Sequence, residues 1–236
     1  MELTGTIPAA DEDRSRPRAV APAWHTVVML VVLGGLSIRG ARKDIMGFGR
    51  VHIYLLIIAA EWVTVAYIWY GLHLRGVRIL ELVGGSWAKA GRVLRDVAIG
   101  IGFMVLGVLT LSGLGHLLGD KQTEATRHLL PRSRLEVVLW ILVSLTAGFC
   151  EEFVHRGYFQ RQFGALTKSV AGGIVLQGIA FGAGHAYQGW KSMLLISLYG
   201  CMFGVLAEWQ KSLRPGMIAH FVEDAIGGLA NLHRLK

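Results

Sequence analysis

The chain has 236 residues, of which 53% are hydrophobic and only 17% are charged, and it contains 31 glycines. A soluble helical bundle of this length cannot cover so much apolar surface, so the composition excludes an ordinary soluble domain and indicates a polytopic membrane protein. The formal net charge of +8 fits basic loops held beside anionic lipid. Without a basic soluble domain, this charge gives no support to nucleic-acid binding.

Apolar segments recur along the whole chain, and several are near the roughly 20 residues that span the hydrocarbon of a bilayer. We therefore predict an all-α fold, a polytopic membrane helical bundle of about seven transmembrane helices around a polar intramembrane cavity. The last three segments are short and rich in Gly, Ala and Ser, which lets helices pack closely. The predicted segments are residues 24–38, 51–72, 96–118, 135–155, 170–186, 193–208 and 215–231.

Three regions follow from these segments. Residues 1–23 are polar and include the charged run DEDRSRPR, so we predict a disordered tail. Residues 24–134 are predicted to form the N-terminal transmembrane helices, with a basic amphipathic helix lying along the membrane surface at 75–95. Residues 135–236 are predicted to form the catalytic helical core.

Charged residues interrupt the fourth segment, in the run TAGFCEEFVHRGYFQR. Ionisable groups at bilayer depth are costly and usually line a cavity that has a function. If the helix continues, Glu152 and Arg156 stand four residues apart and form an ion pair. Glu151 then points elsewhere without a local partner, which makes it the first candidate for chemistry.

Two later segments also carry polar residues. His185 ends the run GIAFGAGH, and His220 precedes Asp224 by four residues in RPGMIAHFVEDA, so His220 and Asp224 share a helical face. Pro215 is suited to the first position of that helix, since its missing N–H is not needed there. In the second segment, Glu61 needs a cavity or a basic partner, and the sequence names neither.

Three short motifs contain these residues in order. They are EExxxR from Glu151 to Arg156, FxxxH from Phe181 to His185, and HxxxD from His220 to Asp224. In motif order and spacing, and in the flanks RGYFQ, GHAYQG and SLRPGMIAH, residues 135–231 resemble the CPBP intramembrane protease family. This family includes the type II CAAX prenyl endopeptidases and is also called the Abi family.

The resemblance implies an intramembrane endopeptidase of the glutamic type. Glu151 and His185 would activate the water that attacks the peptide carbonyl, and His220 would donate to the oxyanion with the help of Asp224. Arg156 would hold Glu152 in place. Many family members carry Asn at the position of Asp224, and an ionised Asp can only accept hydrogen bonds, so direct donation by Asp224 requires its protonated form.

A metal alternative stays open. A zinc site could use Glu151, His185 and His220 and keep a position for water. The chain lacks an HExxH helix, so we favour catalysis without a cofactor. A membrane transporter or a non-catalytic immunity factor would use the same polar residues without proteolysis.

The expected partners are membrane lipid and a membrane-anchored, lipidated or hydrophobic peptide or protein substrate. The short loops and the glycine content favour an integral, multi-pass protein of a prokaryotic cytoplasmic membrane, where CAAX prenylation is not a general pathway. We therefore favour a substrate other than a CAAX protein. A substrate entering sideways from lipid should be sensitive to bulky substitutions at small positions such as Gly182 and Gly204.

Overall fold

The computed structural model describes residues 17–41 and 47–230, and this part of the chain is helical without a β-strand. Helices form wherever the predicted apolar segments lie, and short helices occur between them. The helices are α1 Ala23–Ala41, α2 Arg50–His73, α3 Ile79–Val83, α4 Ala90–Leu118, α5 Glu124–Leu129, α6 Arg134–Glu152, α7 Gln160–Thr167, α8 Val170–Gly184, α9 Trp190–Gln210 and α10 Arg214–Leu229. A π-helical segment, Phe153–Phe159, joins α6 to α7, and a short 3₁₀ turn, Ala186–Gln188, follows α8.

Four stretches of the described chain are long and apolar enough to cross a membrane: Arg50–His73, Ala90–Leu118, Arg134–Thr167 and Trp190–Gln210. Two apolar helices, Ala23–Arg39 and Val170–Gly184, are shorter. The all-α prediction is confirmed. The number of membrane-spanning helices stays a prediction, because length and composition support four of the seven.

The prediction of one surface helix over residues 75–95 is wrong. The short helix α3 forms within this range, and the long helix α4 already begins at Ala90, earlier than predicted. The chain turns at Gly84 and Gly85, whose φ angles of 63° and 61° lie in the left-handed region that favours glycine. The backbone N–H of Leu213 donates to the carbonyl of Val83 over 2.8 Å, so this turn packs against the start of α10.

The fourth predicted segment is longer than expected. The predicted end at residue 155 is not a helix end, because α6, the π-helical segment and α7 run without a break from Arg134 to Thr167. A π-helical turn is rare and occurs often at functional sites. Here it begins directly after Glu151 and Glu152.

Helices α8 and α9 cross at a point where both are glycine. A Cβ atom added to Gly200 would lie 2.9 Å from the Cα of Gly178, closer than such atoms approach. Gly182 and Gly204 lie on the same two helices, and a Cβ on either would strike the partner helix or the buried glutamines beside it. Bulky residues at these positions would push the two helices apart. A loss of activity there would therefore not distinguish blocked lateral entry of the substrate from disrupted helix packing.

The residues before α1 are held by the core. The N–H groups of Val20 and Ala21 donate to Oε1 of Gln162 over 2.7 and 3.2 Å, and both residues are buried. Of the predicted tail, residues 1–16 lie outside the described residues. The proposed division at residues 23 and 134 stays a prediction.

Candidate active site

The EExxxR motif forms a buried ion pair at the junction of α6 and the π-helical segment. Nη1 of Arg156 donates to Oε1 of Glu152 over 2.9 Å, as the four-residue spacing predicts. Both side chains are almost completely buried, at 2% and 1% exposure. Since a buried ion needs a partner of opposite charge, each residue depends on the other.

Arg156 is held from three further sides. Its Nη2 donates to the carbonyl of Gly200 over 3.3 Å, and its guanidinium carbon lies 4.3 and 4.7 Å from the ring centres of Phe181 and Phe203. Such cation–π contacts suit Arg in a site that lacks water. The guanidinium therefore connects the π-helical segment to α8 and α9 and fixes the position of Glu152.

His220 completes this cluster from α10. Its Nδ1 lies 3.0 Å from Oε1 of Glu152 and donates to that carboxylate. Its Nε2 lies 3.8 Å from Oε2 of Glu151 and 3.6 Å from Oδ2 of Asp224. Both distances exceed a hydrogen bond. Nε2 is therefore the nitrogen that faces the open part of the site.

Glu151 has a different environment from its neighbour. Within the described residues no hydrogen bond reaches its carboxylate, and its Oε2 is buried without a partner. The side chain as a whole is 24% exposed, whereas that of Glu152 is 1% exposed. Glu152 therefore binds two donors through its Oε1, whereas neither oxygen of Glu151 has a hydrogen bond within the described residues.

His185 caps the end of α8. Its Nδ1 lies 2.9 Å from the carbonyl of Phe181 and donates to it, which leaves Nε2 as the acceptor of a neutral ring. The Phe181 ring lies against His185 and His220, with ring centres 4.9 and 6.0 Å apart. No hydrogen bond or ion pair joins His185 to Glu151 among the contacts of the described chain.

The structure thus brings Glu151, Glu152, Arg156, His220 and Asp224 into one cluster, and it holds His185 at the edge of that cluster across Phe181. Trp140 helps to place α10 against α6, because its indole N–H donates to the backbone carbonyl of Asp224 over 2.9 Å.

Sequence reasoning missed two polar residues next to this cluster. Gln177 is completely buried and donates to the carbonyl of Gly200 over 2.7 Å, the same oxygen that Arg156 uses. A lone glutamine in the apolar run GIVLQGIAF was the available signal. Tyr187 follows His185, and burial raises the pKa of its hydroxyl to about 12, so the phenol remains a hydrogen-bond donor.

A second pair lies behind His220. The Tyr199 hydroxyl donates to the carboxylate of Glu223 and connects α9 to α10. Glu223 and Asp224 are adjacent in sequence, so closeness to His220 along the chain does not show which of the two acids lies beside its imidazole. The four-residue spacing chose Asp224, whose carboxylate is the one near His220 Nε2.

The zinc alternative would require Glu151, His185 and His220 as ligands. Nowhere in the described ranges do three His, Cys, Asp or Glu side chains come together in an arrangement that could hold a metal ion. In this arrangement the three residues do not fit a zinc ion.

One comparison with known proteins covers this cluster. Residues 133–226 match the family model described as "Type II CAAX prenyl endopeptidase Rce1-like". No curated protein and no solved structure matches the chain. The matched segment includes all three motifs, so the resemblance predicted from them is confirmed.

Proposed function

We propose that the protein is an intramembrane endopeptidase with Glu151 as its general base, on the premise that residues 133–226 match the Rce1-like type II CAAX prenyl endopeptidase family model. The family indicates an integral membrane protein with CAAX-protease-like activity. One observation supports the assignment of the base. Glu152 accepts hydrogen bonds from both Arg156 and His220 at its Oε1, whereas no hydrogen bond reaches the carboxylate of Glu151 among the described residues.

In the proposed reaction a water binds between Glu151 and His185. Glu151 accepts one proton of this water, and Nε2 of His185 accepts a hydrogen bond from the other. The tautomer required of His185 is the one that its Nδ1 bond to the Phe181 carbonyl favours. The water oxygen adds to the peptide carbonyl carbon, and Glu151 returns its proton to the leaving nitrogen when the C–N bond breaks.

His220 stabilises the oxyanion. Because Nδ1 donates to Glu152, Nε2 carries a proton only when the ring is an imidazolium. Three carboxylates, those of Glu151, Glu152 and Asp224, lie within 3.8 Å of the ring nitrogens and favour that charged form. Nε2–H then points at the position of the developing negative charge.

The substrate proposed is a membrane-anchored, lipidated or hydrophobic peptide or protein. The helix that carries the EExxxR motif is apolar enough to cross a membrane, which supports a substrate that is itself associated with the membrane. We keep the expectation of a substrate other than a CAAX protein.

The decisive variant is Glu151→Gln, which keeps the shape of the side chain and removes its basicity. In reconstituted protein acting on fluorogenic membrane peptides, we expect a fall in kcat of roughly 10²- to 10⁴-fold, the usual contribution of a general base. Glu136→Gln, on the first turn of the same helix, is the matched control and should remain active. Activity of Glu151→Gln within tenfold of wild type would disprove this role.

Adding a chelator to the same assay tests whether the reaction depends on a metal. If the glutamic mechanism is correct, a chelator leaves the wild-type rate unchanged. Loss of activity on chelation that zinc restores would replace it with the metal alternative and reassign Glu151, His185 and His220 as ligands.

A further inference from the structure

One acidic residue of the site lies outside the matched family segment. Glu61 is near the middle of α2, a helix of 24 residues that is apolar enough to cross a membrane. Its Oε2 is buried, and within the described ranges it has no hydrogen-bond partner. An unpaired carboxyl at this depth lowers the stability of the fold. Ionisable residues inside a membrane therefore usually have a function.

Helix packing brings the part of α2 that carries Glu61 against the end of α6 that carries Glu151. Helix α2 packs against α6, and the Trp62 ring stacks on Phe149 with ring centres 5.7 Å apart. Glu61 and Glu151 therefore each adjoin this contact, one on each helix.

The charged groups that act on Glu61 are those of the active site. They are Glu151, His220 and Asp224, with Glu151 the strongest of the three carboxyl and imidazole neighbours. No hydrogen bond links Glu61 to any of them within the described chain. Glu61 and Glu151 each have a buried Oε2 without a hydrogen-bond partner there, and a water between two such carboxyls would satisfy both.

We propose that Glu61 is a second carboxyl of the active site, which binds the attacking water together with Glu151 and so positions it for attack. Glu151 and His185 bind the two protons of this water, so Glu61 acts as a protonated carboxyl: its O–H donates to one lone pair of the water oxygen and leaves the other lone pair to attack the carbonyl carbon. The inference rests on the proposed function, since it gives Glu61 a part in the same hydrolysis. It also assigns α2 a direct role in the site.

The test compares Glu61→Leu with Glu61→Gln in the reconstituted protein. We expect Glu61→Leu to lower kcat by roughly a hundredfold with little change in KM, because it removes a contact to the water and none to the substrate. Its thermal midpoint should rise, since an unpaired buried carboxyl is replaced by an apolar side chain. Glu61→Gln keeps hydrogen-bonding atoms in the same place and should retain most of the wild-type kcat.

A lower kcat together with a higher thermal midpoint in Glu61→Leu indicates a positioning role, because loss of a structural role would lower both. Thr64→Leu, a polar-to-apolar change one turn along the same helix, is the control and should leave kcat unchanged. A Glu61→Leu variant that keeps wild-type kcat, or loses stability together with activity, overturns the inference. So does a Glu61→Gln variant as impaired as Glu61→Leu.

The Glu151→Gln variant in the same assay separates the two claims. If Glu151→Gln abolishes cleavage and Glu61→Leu does not, the role of Glu61 fails and the proposed function stands. If neither variant affects cleavage, the glutamic mechanism itself fails.

Discussion

At the scale of single residues, the site assigns different work to two neighbouring glutamates. Glu152 is bonded to Arg156 and His220 at 2.9 and 3.0 Å, and Glu151 has no bond of this kind in the described chain. Because both residues have the same chemistry, only their surroundings separate the structural acid from the reactive one. The carboxylate of Asp224 is also near His220, but it lies beyond hydrogen-bond distance of the imidazole.

Asp224→Asn tests whether the negative charge of this residue is needed. The amide keeps an oxygen near His220 Nε2 and adds a donor, while it removes one of the three carboxylates that favour the imidazolium. We expect kcat/KM within roughly tenfold of wild type, because the remaining carboxylates stay in place. Asp224→Leu should lose more activity, and equal losses in both variants would make the charge itself essential.

At the scale of helices, two features place the motifs. The π-helical segment follows the glutamates directly and carries Arg156 toward α8 and α9. The crossing of α8 and α9 at Gly178 and Gly200 then brings the Gly200 carbonyl within reach of that guanidinium. Without this close approach Arg156 would lose its backbone acceptor and Glu152 its fixed position.

Gly178→Ala should therefore destabilise the protein, with Gly184→Ala as its counterpart on the same helix. The new Cβ at 178 would lie 2.9 Å from the backbone nitrogen of Cys201, whereas at Gly184 nothing lies within 4 Å. Overpacking costs about 1–3 kcal/mol. Thermal unfolding should show a lower midpoint for Gly178→Ala and an unchanged or higher one for Gly184→Ala, and equal midpoints would mean that the crossing is not tight.

At the scale of the whole molecule, a buried polar network attaches α1 to the catalytic core. Nδ1 of His25 lies 2.7 Å from the Tyr158 hydroxyl in the π-helical segment, and its Nε2 lies 2.8 Å from the carbonyl of Tyr67. Gln162 continues the network, since its Nε2 donates to the Thr26 hydroxyl over 2.6 Å. The N-terminal helix is thus fastened to the same segment that follows the glutamates.

Gln162→Leu is expected to loosen this attachment. It leaves the buried N–H groups of Val20 and Ala21 without an acceptor, and each such group costs about 1–3 kcal/mol. The thermal midpoint should fall, and limited proteolysis should cut before α1 more readily than in wild type. Gln122→Leu, in an exposed loop, is the control, and a wild-type midpoint for Gln162→Leu would show that the network does not stabilise the fold.

The sequence predicted the parts that depend on neighbours along the chain. Helices over the seven apolar segments and the pairing of Glu152 with Arg156 follow from hydrophobicity and helical spacing, and the structure contains them. Pro215, predicted as the first residue of the last helix, is the second residue of α10. The family resemblance came from the order and spacing of the motifs and from the runs that flank them. The surface helix at 75–95 failed because Gly84 and Gly85 bend the chain toward a partner more than 120 residues away, and no local pattern records that contact.

By itself, the sequence determined the all-α class, the family resemblance and the residues that carry the motifs, because these depend on composition and on spacings of three to four residues. Only the tertiary structure decided which glutamate accepts no hydrogen bond, that His185 stands across Phe181 from His220, and that the helix of Glu61 packs against the helix of Glu151. These facts depend on distances between helices far apart in the chain. Spacing within one helix does not encode such distances, and packing of the whole bundle sets them.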